Sequence, residues 1–236
     1  MRRHDPETLR IASYNIHKAV GTDRKRRPDR IYDVISSLHA DIVVLQEADL
    51  RLGPRQSALD IGALTQHTGL TPLGVAKNAV SLGWHGNALL FGPAIKVQEI
   101  HQLDLPGVEP RGAIIADLAT PQGGLRVVGV HLGLLRGSRR KQLTTVVQHL
   151  ESLPPRPTVI TGDFNEWSMT VGLGRLAKHF SLHAPGRSFH ARRPVAALDR
   201  IAVNEAVTLA TMGVFRDALA AVASDHLPIW ADLRLG

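Results

Sequence analysis

The chain has 236 residues, 44% of them hydrophobic, enough for one domain with a sizeable core. It contains no cysteine, which excludes disulfides, thiolate metal sites and cysteine nucleophiles, so any metal must be held by oxygen or imidazole. The net charge of +7 suits phosphate-bearing partners, although arginines are spread along the whole chain, with local clusters at residues 23–30 and 136–142.

The opening MRRHDPETLR is charged and lacks an apolar signal core. No run reaches the ~18 apolar residues of a membrane span. The expectation is a cytoplasmic protein with no stable membrane insertion.

LRIASYNIH reads as a strand that delivers Asn15 at its polar end. PDRIYDVISSLHA reads as a helix, with Ile31, Val34, Ile35 and Leu38 at helical spacing and Pro28 in the first turn. DIVVLQE is a short apolar run, a buried strand that stops at Gln46 and Glu47. RQSALDIGALTQHTG is expected to be helical, closed by Gly69. GNALLF, IKVQEIHQL, GAIIADLAT and LRVVGVHLG are expected strands between Gly and Pro turns. SRRKQLTTVVQHLESL reads as an amphipathic helix with Ser138 as its cap and Leu143, Val146, Val147 and Leu150 on one face.

TVITGDFNEW begins with four β-branched residues, which suit a buried strand. Gly162 is expected to turn the chain. Asp163 and Asn165, two apart in extended backbone, are expected to face one spot while Phe164 packs behind them. A helical or irregular piece is expected over about 169–179. ALDRIAV, VTLATMGVF and PIWADLRL supply the last strands. Strands with helices between some of them point to a mixed α/β sandwich in a single domain, residues 1–236.

Six of these segments place polar groups at a strand end: Asn15; Gln46 and Glu47; His131; Asp163 and Asn165; Asp199; Asp225 and His226. Buried carboxylates are costly unless paired or metal-bound, so one shared pocket explains the set better than six separate turns or caps. Asn15, Glu47, Asp163 and Asp225 are hard oxygen ligands that suit Mg²⁺ or Mn²⁺. His131 and His226 can donate to phosphate oxygens or move protons near neutral pH. The mixture suits metal-assisted attack of water on phosphorus.

In order along nearly the whole chain, SYNIH, VVLQE, HGNALLF, PRGAI, GVHLG, TGDFNEW, ALDRIAV and SDHLPIW resemble the motifs of the endonuclease/exonuclease/phosphatase superfamily, the deoxyribonuclease I-like proteins. The wording around HLGL and RGSRRKQL is similar to its short bacterial metal-dependent hydrolase branch. The resemblance implies a four-layer α-β-β-α sandwich, two mixed sheets face to face with flanking helices, and a pocket at one edge of the sheets. It implies metal binding by Glu47, with Asn15 in the metal shell and Asp225 as a further metal-side carboxylate. It implies that Asp163 orients or deprotonates the attacking water and that Asn165 helps hold it. His226 would contact the scissile phosphate, with Asp199 fixing its tautomer. His131 would serve as phosphate ligand or general acid, and Asn87 and Arg111 would be substrate-binding groups.

The expected activity is that of a divalent-metal-dependent phosphodiester hydrolase of the nuclease type. The alternative substrate is a phospholipid head group or a small molecule, and the distant alternative is a non-catalytic binding module. Residues 77–86 offer an apolar rim around Trp84 for lipid, unless that tryptophan packs in the core. The sequence leaves the oligomeric state open.

Overall fold

In the computed structural model, which describes residues 7–168 and 173–236, the chain opens with β1 (Leu9–Asn15), α1 (Pro28–Leu38), β2 (Ile42–Gln46), α2 (Ile61–Thr68) and β3 (Thr71–Pro72). It continues through β4 (Ala88–Phe91), β5 (Lys96–Leu105), β6 (Arg111–Thr120), β7 (Gly123–His131), α3 (Arg136–Glu151) and β8 (Thr158–Asp163). It closes with β9 (Ser181–His183), β10 (Asp199–Val203), β11 (Val207–Val214), α4 (Ala220–Ala223) and β12 (Ile229–Leu235). The irregular piece expected over 169–179 lies partly outside the described residues; within them, Leu176–Lys178 forms a single 3-10 turn.

The strands make two six-stranded sheets, ordered β11-β12-β1-β2-β4-β3 and β5-β6-β7-β8-β10-β9. Each sheet holds one parallel pair, β1 with β2 and β7 with β8, and the other pairings are antiparallel. A parallel pair needs a crossover, and here α1 and α3 supply it. The two crossover units end alike. Asn15 lies opposite Gln46 at the ends of β1 and β2, and His131 lies opposite Asp163 at the ends of β7 and β8.

Three buried clusters separate four layers. Alternate residues of β1 and β2, such as Ile11, Ile42 and Val44, meet Ile114, Val127, Val159 and Ile201 of the other sheet. Their neighbours Ala12, Tyr14, Val43 and Leu45 face the opposite way, onto α1, α2 and α4. On the far side Ile115, Val128, Val130 and Ile160 pack under Leu143, Val146 and Val147 of α3. Strands covered on both faces must be apolar throughout, which is why IVVL and VVGV read as unbroken runs. Each fully buried Val, Leu or Ile contributes about 1.5–3 kcal/mol. No helix among the described residues is long and apolar enough to cross a membrane.

Local details correct the sequence reading. The second helix starts at Ile61, capped by the Asp60 side chain, which accepts from Ala63 N at 2.7 Å. The residues before it are committed elsewhere, since Ser57 N bonds Val80 O and Ala58 N bonds Ala48 O. Ser138 is not the cap of α3. The helix begins two residues earlier, behind Leu135, and the chain leaving β7 is held by Gln142 Oε1, which accepts from Gly133 N. Gly162 does not turn the chain but lies within β8. There the Val130 carbonyl oxygen sits 1.9 Å from where a Cβ would be, and φ is +150°.

Candidate active site

Sheet register sets the first row of the site. Asp163 ends β8 opposite His131 on one side and Asp199 on the other, so three polar side chains lie level across the second sheet. The first sheet supplies Asn15 from the end of β1 and Glu47 just past β2. Asn15 Nδ2 donates to Asp163 Oδ2 at 3.0 Å, joining the two sheets at their common edge.

Asp163 is the centre. Its Oδ1 accepts from the Asn165 backbone N–H at 2.9 Å, and its Oδ2 lies 3.5 Å from His131 Nε2 and 3.7 Å from His226 Nε2. Burial pushes its carboxyl above the ordinary range, and Asp199 adds to this. His226 and the donors Asn165 and Asn15 oppose the rise. Asn165 does not reach the spot by extended backbone, because its φ is +50°. That left-handed turn aims its Nδ2 at the Leu132 carbonyl, 2.9 Å away, and bends its N–H back to Asp163. Phe164 packs behind as expected, fully buried.

His226 precedes β12 and turns Nδ1 to Asp199 Oδ2 at 2.9 Å. Burial alone would lower its pKa, but the charges of Asp199 and Asp163 and the hydrogen bond to Asp199 raise it to about 10. Ser188 Oγ also donates to Asp199 Oδ2, and the Phe189 ring lies 5.0 Å from the His226 ring. On the other flank, burial first and the Arg111 charge second hold His131 well below an ordinary histidine. Arg111 is itself buried, with Nη1 at 2.9 Å from His131 Nδ1 and no partner on Nε.

Glu47 follows β2 in a left-handed conformation, φ +54°. Lys18 Nζ bonds its Oε2, and Arg51 Nη2 lies 3.3 Å from its Oε1. Burial pushes its carboxyl up, but the Lys18 bond and charge outweigh this and the pKa falls below the ordinary value. A pocket of about 280 Å³ opens here, walled by Lys18, Glu47, Arg51, Arg55, Arg111 and His131 among others.

Two expected groups have partners of their own. Asn87 Nδ2 is used within the chain, on Gly112 O at 2.9 Å and Trp84 O at 3.3 Å. It therefore braces the start of β6 beneath the pocket. Asp225 meets His17 Nδ1 at 3.9 Å and the Ser224 hydroxyl at 3.4 Å, and its charge helps raise the His226 pKa. Trp84 is buried, its Nε1 on Leu103 O, so residues 77–86 do not carry an exposed aromatic rim. Sequence reasoning missed Lys18, Arg51, Ser188 and Phe189. Only Lys18 had a signal, its place three residues beyond Asn15.

Among the described residues no three His, Asp or Glu side chains converge as a ready-made metal cage. The oxygen donors nearest the edge are the Glu47 carboxylate, held by Lys18 and Arg51, the Asn15 amide oxygen, which accepts from His17 N at 3.1 Å, and the partly exposed Asp225 carboxylate. An all-oxygen set this sparse fits Mg²⁺, which keeps several waters and completes its shell with substrate phosphate.

The comparisons with known proteins agree with this geometry. The model of the Endonuclease/Exonuclease/phosphatase family matches residues 12–226. An uncharacterized protein, YbhP of Escherichia coli (strain K12), is 28% identical over 247 residues, covering 97% of each chain. The crystal structure of an endonuclease/exonuclease/phosphatase from Beutenbergia cavernae superposes with a TM-score of 0.75 at 23% identity, covering 97% of this chain and 72% of that one. A mannosyl-6-phosphatase of Bacteroides thetaiotaomicron gives a TM-score of 0.74 at 18% identity, covering 95% and 99%. With the family model spanning nearly every strand and all the groups gathered around Asp163, the chain belongs to the endonuclease/exonuclease/phosphatase family, whose members hydrolyse phosphoester bonds.

Proposed function

We propose that this protein hydrolyses a phosphodiester with the help of Mg²⁺ or Mn²⁺. Asp163 carries the reading. It is a fully buried carboxyl with a raised pKa, two histidine nitrogens aim at the same oxygen, and it lies beside a pocket with basic walls. A base whose pKa approaches neutrality is the better proton acceptor.

In this reading Asp163 takes the proton from the attacking water as the water oxygen bonds to phosphorus, the opposite P–O ester bond breaks and the leaving alkoxide takes a proton from solvent, while Asn165 and Asn15 hold the carboxylate in place. The His226 imidazolium, kept charged by Asp199, donates from Nε2 to a phosphate oxygen where charge develops. His131 and Arg111 receive the phosphate from the other side. A metal ion held by Glu47 and Asn15 supplies Lewis-acid neutralisation of the phosphate charge when bound.

Nucleic acid is the substrate expected first, and its support is a basic trough of about 780 Å³ along α3, lined by Arg136, Arg140, Lys141, Arg175 and Lys178, which shares no residue with the pocket at Glu47. A phospholipid head group is the second reading, favoured by the exposed apolar side chains described below. The test is hydrolysis of a chromogenic phosphodiester with Mg²⁺ or Mn²⁺, in wild type and Asp163→Asn. Turnover that survives a chelator, or that survives Asp163→Asn undiminished, would defeat the mechanism.

A further inference from the structure

Six large apolar side chains among the described residues are more than half exposed: Leu52, Val108, Leu134, Leu135, Trp167 and Val195. Each is linked to a site residue through a neighbour or a short chain of contacts. Leu52 follows Arg51, which bonds Glu47. Val108 is part of the pocket wall with Glu47, Arg111 and His131. Leu134 and Leu135 follow the end of β7, and Leu134 N lies 3.4 Å from Glu109 Oε1, next to Val108. The Trp167 ring is 6.1 Å from Phe189, which lies against His226. Val195 N donates to Phe189 O at 2.6 Å. The other exposed large apolar residues, Ile61, Val80, Ile100 and Met212, are each less than half exposed and lie on separate elements.

Exposed arginines alternate with these tips: Arg51 beside Leu52, Arg136 beside Leu135, Arg192 and Arg193 just before Val195. The acids nearest them in sequence, Glu47, Asp49, Glu109 and Glu166, are buried or half-buried, and the exposed Asp104 is paired with His85 of the pocket wall, so cations predominate on the face. A nucleic acid would engage the arginines and leave the aliphatic tips wet. A second copy of the chain meeting this face about a two-fold axis would set the arginines against themselves. Apolar tips among cations match a layer that is anionic at its surface and hydrocarbon beneath.

We propose that the mouth of the site seats on an anionic phospholipid bilayer, with the six tips entering the head-group layer and the arginines meeting lipid phosphates. The ester would then be met at the interface. That clause rests on the hydrolase reading, whereas the binding does not require turnover.

The experiment is sedimentation with vesicles of phosphatidylcholine alone or mixed equally with phosphatidylglycerol, read beside tryptophan emission and hydrolysis of a soluble phosphodiester. Wild type is expected to sediment with the mixed vesicles and much less with phosphatidylcholine alone. Its emission should shift to the blue, and the shift should vanish in Trp167→Phe. The double variant Leu134→Glu, Leu135→Glu should partition at least about tenfold more weakly with soluble-substrate turnover unchanged. Wild type that stays in the supernatant, or a double variant that binds as well as wild type, overturns the proposal. So does a wild-type dimer that the double variant turns into a monomer. Vesicle binding without turnover of either the soluble phosphodiester or the vesicle phospholipid would leave the membrane seat standing and remove the catalytic reading instead.

Discussion

Arg111 presents Nη1 to Nδ1 of His131 at 2.9 Å. A guanidinium has only donors, so Nδ1 must carry the lone pair and the ring proton must sit on Nε2, toward Asp163. Burial and the arginine charge both oppose a second proton. Of the two roles the family resemblance implies for His131, phosphate ligand and general acid, this geometry favours the first.

Replacing Arg111 with Gln should therefore do two things. The His131 pKa should rise toward that of an ordinary histidine, and turnover should fall by about 10²-fold, as for loss of one preorganised donor. Nitrogen-edited NMR of the imidazoles reads the first and steady-state kinetics the second. Full activity in Arg111→Gln would mean that neither the tautomer nor the buried charge matters to the reaction.

Asp199 and His226 should behave as one unit. Each alanine variant is expected to lower kcat/KM by about 10²–10⁴-fold, and the double variant little further. Losses that multiply strictly would show two independent groups.

The pH profile should have a broad plateau. In the proposed reading Asp163 is a base only when ionised, so activity should fall on the acid side at a pH above the ordinary carboxylate range. His226 donates only when protonated, so the alkaline limb should fall near its value of about 10. Stability follows the same sign. The folded pKa of His226 exceeds the ordinary 6.5, so its pairing contributes fully below that pH and is lost as pH rises through about 10. A thermal-unfolding series in Asp199→Asn should lose that alkaline dependence.

Glu47→Gln should weaken Mg²⁺ by roughly 10²-fold or more, with partial recovery of turnover at high metal, because a full charge beside the ion becomes a neutral amide. Titration calorimetry of the metal measures it directly. Unchanged affinity would place the ion elsewhere.

Gly162→Ala should cost about 3 kcal/mol or more and lower the melting temperature by roughly 6–12 °C, because the new Cβ would collide with the Val130 carbonyl, which is part of a strand and does not give. Gly137→Ala, with nothing within 4 Å, is the control and should leave the melt unchanged or raised. Equal melting of the two variants would contradict the packing.

The layered fold was legible because strands covered on both faces must be apolar, and because each parallel pair advertises its crossover helix. The groups around Asp163 were legible because a polar residue closing an apolar strand is costly unless used. What stayed hidden depended on contacts that sequence distance conceals. The Asn15 bond to Asp163 spans 148 positions. Ser188 reaches Asp199 from a loop with no pattern, and Lys18 and Arg51 reach Glu47 only because residues 17–19 and Glu47 take left-handed backbone. Ser138 and Gly162 misled for the opposite reason. A cap-forming serine and a turn-forming glycine were both recruited for tight packing, one inside a helix and one inside a strand.

The first sheet closes by pairing β1 with β12, the earliest strand with the last, whereas the second uses only residues between Lys96 and Val203. Domains fold as they are made, N-terminal parts first, and here that rule meets a long-range pairing. On the ribosome the second sheet can complete itself while β1 still lacks one neighbour. Asp163 then exists without His226, which is synthesised after every strand of that sheet. A nascent chain therefore carries the Asp163 carboxyl before the imidazole proposed to work with it, and under the hydrolase reading competence would arrive only once β12 pairs with β1.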